Sequence, residues 1–339
     1  MLRWLFGLFS IGILVPAVLA AGAENTFAPE KWRALYKRPA EIPFPASNPY
    51  SESKAKLGQM LFYDPILSGS ETRSCASCHS PSLSWTDGLA LASGEKQKPL
   101  ALKSPTLLNI AWIEPLGWDG HFRTLESVAF GPINSPVNMN ASEKIVVQRL
   151  SAIPGYVHAF DTAFGAGPVT KKKIEDAIAT FERTIVSADA PFDRWVNGDD
   201  NAIGDDAKEG FALFNGKARC SSCHAGWLFT DNSFHDIGVA RENEVGRGKL
   251  FPKSVKLKHA FKTPTLRDIA RRAPYMHDGS LKDLRAVLDL YSRGGVNRPS
   301  RSAQIVRLNL TDKEKKELIA FLDTLTSPNK PATVPALPR

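Results

Sequence analysis

Two segments, Cys75-Ala76-Ser77-Cys78-His79 and Cys220-Ser221-Ser222-Cys223-His224, hold all four cysteines of this chain. At this spacing two thiols can add to the vinyl groups of one haem. The next histidine can then ligate the iron from the proximal side. Two disulfides would be another use of four cysteines in an exported chain, and a zinc site a third. Neither explains a histidine after both pairs, and zinc ribbons keep their ligand pairs much closer in sequence. The pattern predicts two covalently bound haem c groups, with His79 and His224 on the irons.

The surroundings of the motifs repeat as well. Ser104-Pro105-Thr106-Leu107-Leu108-Asn109-Ile110-Ala111 recurs as Thr263-Pro264-Thr265-Leu266-Arg267-Asp268-Ile269-Ala270, and an Asp-Gly follows each copy at the same distance, Asp119-Gly120 and Asp278-Gly279. Short amphipathic helical patterns come next, at 124–128 and 282–287. The chain reads as two related haem domains, the second carrying an insertion of about 14 residues within 242–258. Helices are expected over 171–187, where Ile174, Ala177, Ile178, Phe181 and Ile185 share a face, over 206–214, and over 311–325 behind a Thr311 N-cap. The predicted fold is mainly α, two c-type cytochrome domains with long loops. Its divisions are a signal peptide (1–21), an N-terminal haem domain (22–165), a C-terminal haem domain (166–326) and a Pro-rich, disordered tail (327–339).

Met1-Leu2-Arg3, an apolar stretch from Trp4 to Ala21 and a small-residue end read as a secretory signal cleaved between Ala20 and Ala23. No later segment approaches the length of a spanning helix, so after cleavage no membrane contact is expected and the location is the periplasm. A formal charge of +8 suits acidic protein partners, but the basic residues are scattered, which argues against nucleic acid.

The motifs, Trp118-Asp119-Gly120, the Pro-Thr-Leu repeats and Pro274-Tyr275-Met276-His277-Asp278-Gly279 resemble the bacterial dihaem cytochrome c peroxidase superfamily over nearly the whole mature chain. Residues 38–45, 190–195 and 229–232 resemble its methylamine-utilisation branch. The resemblance implies a first haem that reacts with hydrogen peroxide, or with oxygen plus electrons, and a second, six-coordinate haem. Trp118 would relay electrons between them, although a buried indole is common in any core. Tyr291 stands at the branch position for the second haem's distal ligand, where phenolate stabilises oxidised iron. Met276 as ligand, or Tyr291 as a packed aromatic, are the alternatives. A calcium ion between the haems is also implied, held in part by the backbone carbonyls of Arg272 and Pro274.

In this branch the substrate is a protein, precursor methylamine dehydrogenase, whose tryptophans become tryptophan tryptophylquinone; Trp112, Trp195 and Trp227 are candidate stepping stones. A peroxidase drawing electrons from a small cytochrome or cupredoxin is the enzyme alternative, and a plain dihaem electron carrier the non-enzyme one. The chain departs from the superfamily on the distal side of the first haem. Asn138 stands where a catalytic glutamate is expected, and Val128 where a glutamine is. Asparagine can hold water or peroxide but cannot donate and recover a proton as a carboxylate does. Glu126 or Glu114 are the candidates to replace it. Of the other histidines, His158 and His259 read as surface, His121 as a possible propionate contact, and His235 and His277 as supporting groups.

Overall fold

The computed structural model describes residues 29–328 and 332–338, so the expected signal peptide lies outside the described residues. Ten α-helices occur among them: α1 (Pro29–Tyr36), α2 (Glu52–Tyr63), α3 (Phe130–Asn134), α4 (Glu143–Ser151), α5 (Pro154–Phe164), α6 (Lys171–Arg183), α7 (Pro191–Val196), α8 (Asp205–Asn215), α9 (Leu284–Arg293) and α10 (Asp312–Asp323). One small antiparallel sheet pairs β1 (Phe234–His235) with β2 (Phe261–Lys262). Among the described residues, no helix is long and apolar enough to cross a membrane.

The duplication is built from two helix pairs, α2 on α6 and α8 on α10. Each pair crosses at a glycine. A Cβ on Gly58 would run into the carbonyl of Ala177, and one on Gly210 into the carbonyl of Glu317. Caps set where the second helix of each pair begins: Thr170 accepts from the Lys173 amide, and Thr311 with Glu314 forms a capping box. The expected 171–187 helix stops at Arg183 because Asn109 takes over the chain beyond it. Its amide donates to Ile185, and its side chain accepts from the Ser187 amide at 3.1 Å. In the second half Asp268 does the same to Leu325 and Ser327. Asn109 and Asp268 both adopt left-handed backbone, φ 61° and 57°. The two copies differ after the Asp-Gly turns. Asp283 caps α9, whereas the expected 124–128 helix is only a turn, because Ser127 Oγ bonds back to the Thr124 carbonyl at 2.7 Å.

The division expected at 165/166 needs correcting. Ile174, Ala177 and Ile178 of α6 sit in one core with Leu57 and Leu61 of α2, so α6 belongs to the first half. The chain ends also cross over. Tyr36, fully buried, stands in the second core against Phe192, Phe211 and Phe229. The tail, expected to be disordered, instead runs back to the first half, where Gln59 Nε2 donates to the Thr333 carbonyl and Pro338 lies against Gly155. These crossings tie each half to the other's sequence.

Candidate functional site

Each Cys-x-x-Cys-His segment folds as a single tight turn behind the first helix of its pair. His79 N donates to the Cys75 carbonyl at 3.0 Å, and His224 N to Cys220 at 2.9 Å. No disulfide joins any of the four cysteines. Burial pushes the Cys75 and Cys78 thiols up, and Cys220 up to about 12. Zinc binding and thiol redox chemistry need thiolates, which this setting disfavours; thioether bonds to a haem do not.

The two histidines have the form an iron ligand needs. His79 Nδ1 lies 3.2 Å from the Trp85 carbonyl and His224 Nδ1 lies 2.7 Å from the Phe229 carbonyl. A carbonyl can only accept, so Nδ1 carries the proton and Nε2 keeps its lone pair. Burial lowers both pKa values and keeps the rings neutral. Trp85 and Phe229 present those carbonyls from left-handed backbone, φ 59° and 54°. Thr106 and Thr265 brace the two loops, with hydroxyls on the Ser84 and Leu228 carbonyls.

A single, mainly apolar cleft runs from the second motif to the junction of the halves. His224, Tyr291, Met276 and Leu288 line it, so Tyr291 and Met276 both share the cleft with His224. Burial raises the Tyr291 phenol, and among the described residues no group hydrogen-bonds its hydroxyl. Arg272, Lys262 and His235 bring positive charge to the same cleft. The Asp231 hydrogen bond, at 2.8 Å, raises the pKa of His235 and favours its protonated form. Arg272 Nε is buried without a protein partner. An apolar slot with cations beside it suits a flat macrocycle carrying two carboxylates, so these residues fit haem.

Trp118 sits where the halves meet, and the contacts there are reciprocal. Lys262 N donates to the Trp118 carbonyl at 2.8 Å, and Lys103 N donates to the His277 carbonyl at 2.8 Å. Lys103 and Lys262 are equivalent positions in the repeat, as are Trp118 and His277. The Trp118 indole Nε1 donates to the Lys103 carbonyl at 2.8 Å. His277, buried, stacks on Phe261 with centroids 3.7 Å apart. The second-half insertion closes the junction: Arg247 donates to the Asp119 and Gly120 carbonyls and lies over Phe234. Calcium fits poorly here. The Arg272 and Pro274 segment shares the cleft with the buried side chains of Lys103, Lys262 and Arg272.

In the first half, Asn138 is half-buried on the turn after α3, its amide bonded to the Ser135 carbonyl. Neither replacement carboxylate suits proton transfer. Glu114 is exposed. Glu126 is partly desolvated, but both Arg183 guanidinium nitrogens (2.7 and 3.1 Å) and Asn48 hold its carboxylate below the usual range. The sequence reading missed Glu182. It is 7% exposed, lies in the last turn of α6, and is close enough to Cys75 to act on it electrostatically. Burial pushes its carboxyl up to about 8, against the pull of Arg183. A carboxyl beside a helix arginine reads in sequence as half of a surface ion pair. His259 also differs from expectation: it is 2% exposed, with Nδ1 2.9 Å from the Glu244 carbonyl. His121 is exposed, edge-on to Phe122.

Two attachment turns on duplicated helix pairs define a dihaem c-type cytochrome. The di-haem cytochrome c peroxidase profile matches residues 52–201, and the cytochrome c profile residues 207–326. The chain is 49% identical to the methylamine utilization protein MauG of Methylorubrum extorquens, over 90% of this chain and 87% of that protein. It is 44% identical to MauG of Methylophilus methylotrophus, over 90% and 92%, and 34% identical to cytochrome c551 peroxidase of Nitrosomonas europaea, over 87% and 86%. The solved structure of a MauG-like protein associated with microbial copper homeostasis superposes with a TM-score of 0.79 at 31% identity, over 86% of this chain and 95% of that one. The chain belongs to the di-haem cytochrome c peroxidase family, on its MauG side. It is a haem-dependent oxidoreductase with two c-type haems.

Proposed function

We propose that this chain is a periplasmic enzyme of the MauG kind, using hydrogen peroxide, or oxygen plus electrons, to oxidise tryptophans of precursor methylamine dehydrogenase to tryptophan tryptophylquinone. The observation that carries the reading is the 49% identity to a MauG over 90% of the chain. Tyr291 opening onto the same cleft as His224 supports it. The haems would supply the oxidising chemistry, held by Cys75, Cys78 and His79 in the first half and by Cys220, Cys223 and His224 in the second.

The protein's own part is positioning and proton control. The Trp85 and Phe229 carbonyls fix the two imidazoles as neutral Nε2 donors. Tyr291 would offer an oxygen to the cleft that His224 lines. Trp118 spans the junction, and its N–H points at a carbonyl, which cannot take a proton. An electron passing through the indole therefore leaves the Nε1 proton in place. Because the substrate is another protein, oxidation reaches it through aromatics. Trp112 and Trp227, edge to face at 4.9 Å, form one such step, and Trp195 lies buried under Arg33. Calcium is not part of this reading.

Incubating the dihaem protein with precursor dehydrogenase and peroxide should generate quinone absorbance, and its absence would overturn the assignment of substrate. A second reading, a peroxidase fed by a small cytochrome or cupredoxin, is favoured by one feature: Met276 opens onto the same cleft. Peroxide turnover with a reduced small cytochrome, and no quinone, would support it.

A further inference from the structure

We propose that Lys103 and Lys262, one from each half, are the fixed cations of the haem-to-haem junction, and that the protein holds no calcium ion there. The inference rests on the dihaem reading.

The two lysines occupy equivalent repeat positions and make equivalent contacts. Each backbone amide donates across to the other half, Lys103 to His277 and Lys262 to Trp118. Each ammonium turns back onto a carbonyl of its own half: Lys103 Nζ to Leu89 at 2.9 Å, and Lys262 Nζ to Asn232 at 3.1 Å. They are only 6% and 8% exposed. Lysine is almost never buried this far without a purpose or a partner. Both line the cleft with Trp118, Arg272 and Pro274. Burial lowers both pKa values, Lys262 to about 8; Arg272 lowers that of Lys103 further, and Arg247 that of Lys262, so each lysine has a guanidinium within electrostatic reach.

Calcium needs six to eight oxygen ligands, carboxylates prominent among them. The carbonyls of Leu89 and Asn232 are already taken by the ammonium groups. Asp231, the carboxylate beside Lys262, pairs with His235, and Asp119 Oδ1 accepts from the His121 amide. Asp87 Oδ1 accepts from the Leu89 amide; its Oδ2, buried with no hydrogen bond, is the counter-charge acting on Lys103. A dication here would share the cleft with two buried ammonium groups and a buried guanidinium. The lysines instead carry the positive charge that ties each half's loop to the junction.

The test uses purified protein whose two-haem content is first verified by pyridine haemochrome, so that a missing haem counts against the functional reading alone. After dialysis into calcium-free buffer, elemental analysis should find far less than one calcium per chain. Neither a chelator nor added calcium should alter the optical or electron paramagnetic resonance spectra. One calcium per chain, or a spectral change on chelation, would overturn the proposal. Lys103→Met should slow electron exchange between the haems by about tenfold, whereas Lys103→Arg keeps it. A Lys103→Met protein with the wild-type exchange rate would overturn the role given to the ammonium. Should Lys103→Met fail to fold, the wild-type calcium count still decides.

Discussion

Trp118 and His277, equivalent residues of the two halves, meet edge to face across the junction, with ring centroids 6.4 Å apart at 70°. The duplicated turns thus dock on each other, and each half supplies one wall of the other's environment. The pair is unequal. The Trp118 N–H donates to the Lys103 carbonyl, while His277 Nε2 lies 3.5 Å from Glu244 and is buried without a hydrogen bond. An oxidisable ring with a fixed proton faces a neutral imidazole.

Replacing Trp118 with Phe keeps an aromatic ring against His277 but removes the indole and its hydrogen bond. Stability should fall by about 1 kcal/mol, the typical worth of one such bond. The first haem should still react with peroxide in stopped-flow, while oxidation of the protein substrate is lost. A variant that forms quinone at the wild-type rate would show that electrons bypass this residue.

Tyr291 and Met276 compete for the second iron, and single substitutions separate them. Tyr291→Phe should convert the second ferric haem's electron paramagnetic resonance signal from low-spin to high-spin, and Met276→Leu should leave it unchanged. The reverse pattern would assign the iron to Met276 and strengthen the peroxidase reading, since a thioether raises the reduction potential.

The helix crossings make a prediction about stability alone. At Gly58 and Gly210 the backbone of the partner helix occupies the space a methyl group needs. Gly58→Ala and Gly210→Ala should each destabilise the protein by about 1–3 kcal/mol, because backbone must move to make room. Thermal unfolding of the dihaem protein measures this. An unchanged midpoint for either variant would mean that its helices can separate at little cost.

Local signals carried far in this sequence. The attachment turns, the repeat, and helices α6, α8 and α10 depend on spacing, periodicity and caps within about a dozen residues, and they were readable. Contacts between halves were not. Nothing near Lys103 or Lys262 announces that each amide reaches across to the other half, and Tyr36 reads as part of the first half while packing in the second core. His259 looked like surface because its acceptor, the Glu244 carbonyl, is presented by the inserted loop. Glu126 looked available because its partner Arg183 lies 57 residues away.

The first haem's missing carboxylate leads to the last prediction, which concerns Glu182 and Asn138 together. Burial raises the Glu182 pKa from 4.5 to about 8. Folding therefore favours the protonated form, so its contribution to stability is complete below pH 4.5 and is lost as pH rises towards 8. Across that window the wild-type unfolding midpoint should fall relative to that of Glu182→Gln, which has nothing to titrate. A carboxyl still protonated near neutrality can also give up a proton, which the clamped Glu126 cannot. If Glu182 serves the first haem in place of the expected glutamate, Glu182→Gln should slow the reaction with peroxide by about 10²–10⁴. Asn138→Glu should speed the wild-type reaction and rescue Glu182→Gln. An unchanged rate in Glu182→Gln would exclude it as the proton source, and an unchanged rate in Asn138→Glu would mean that position 138 does not limit proton transfer.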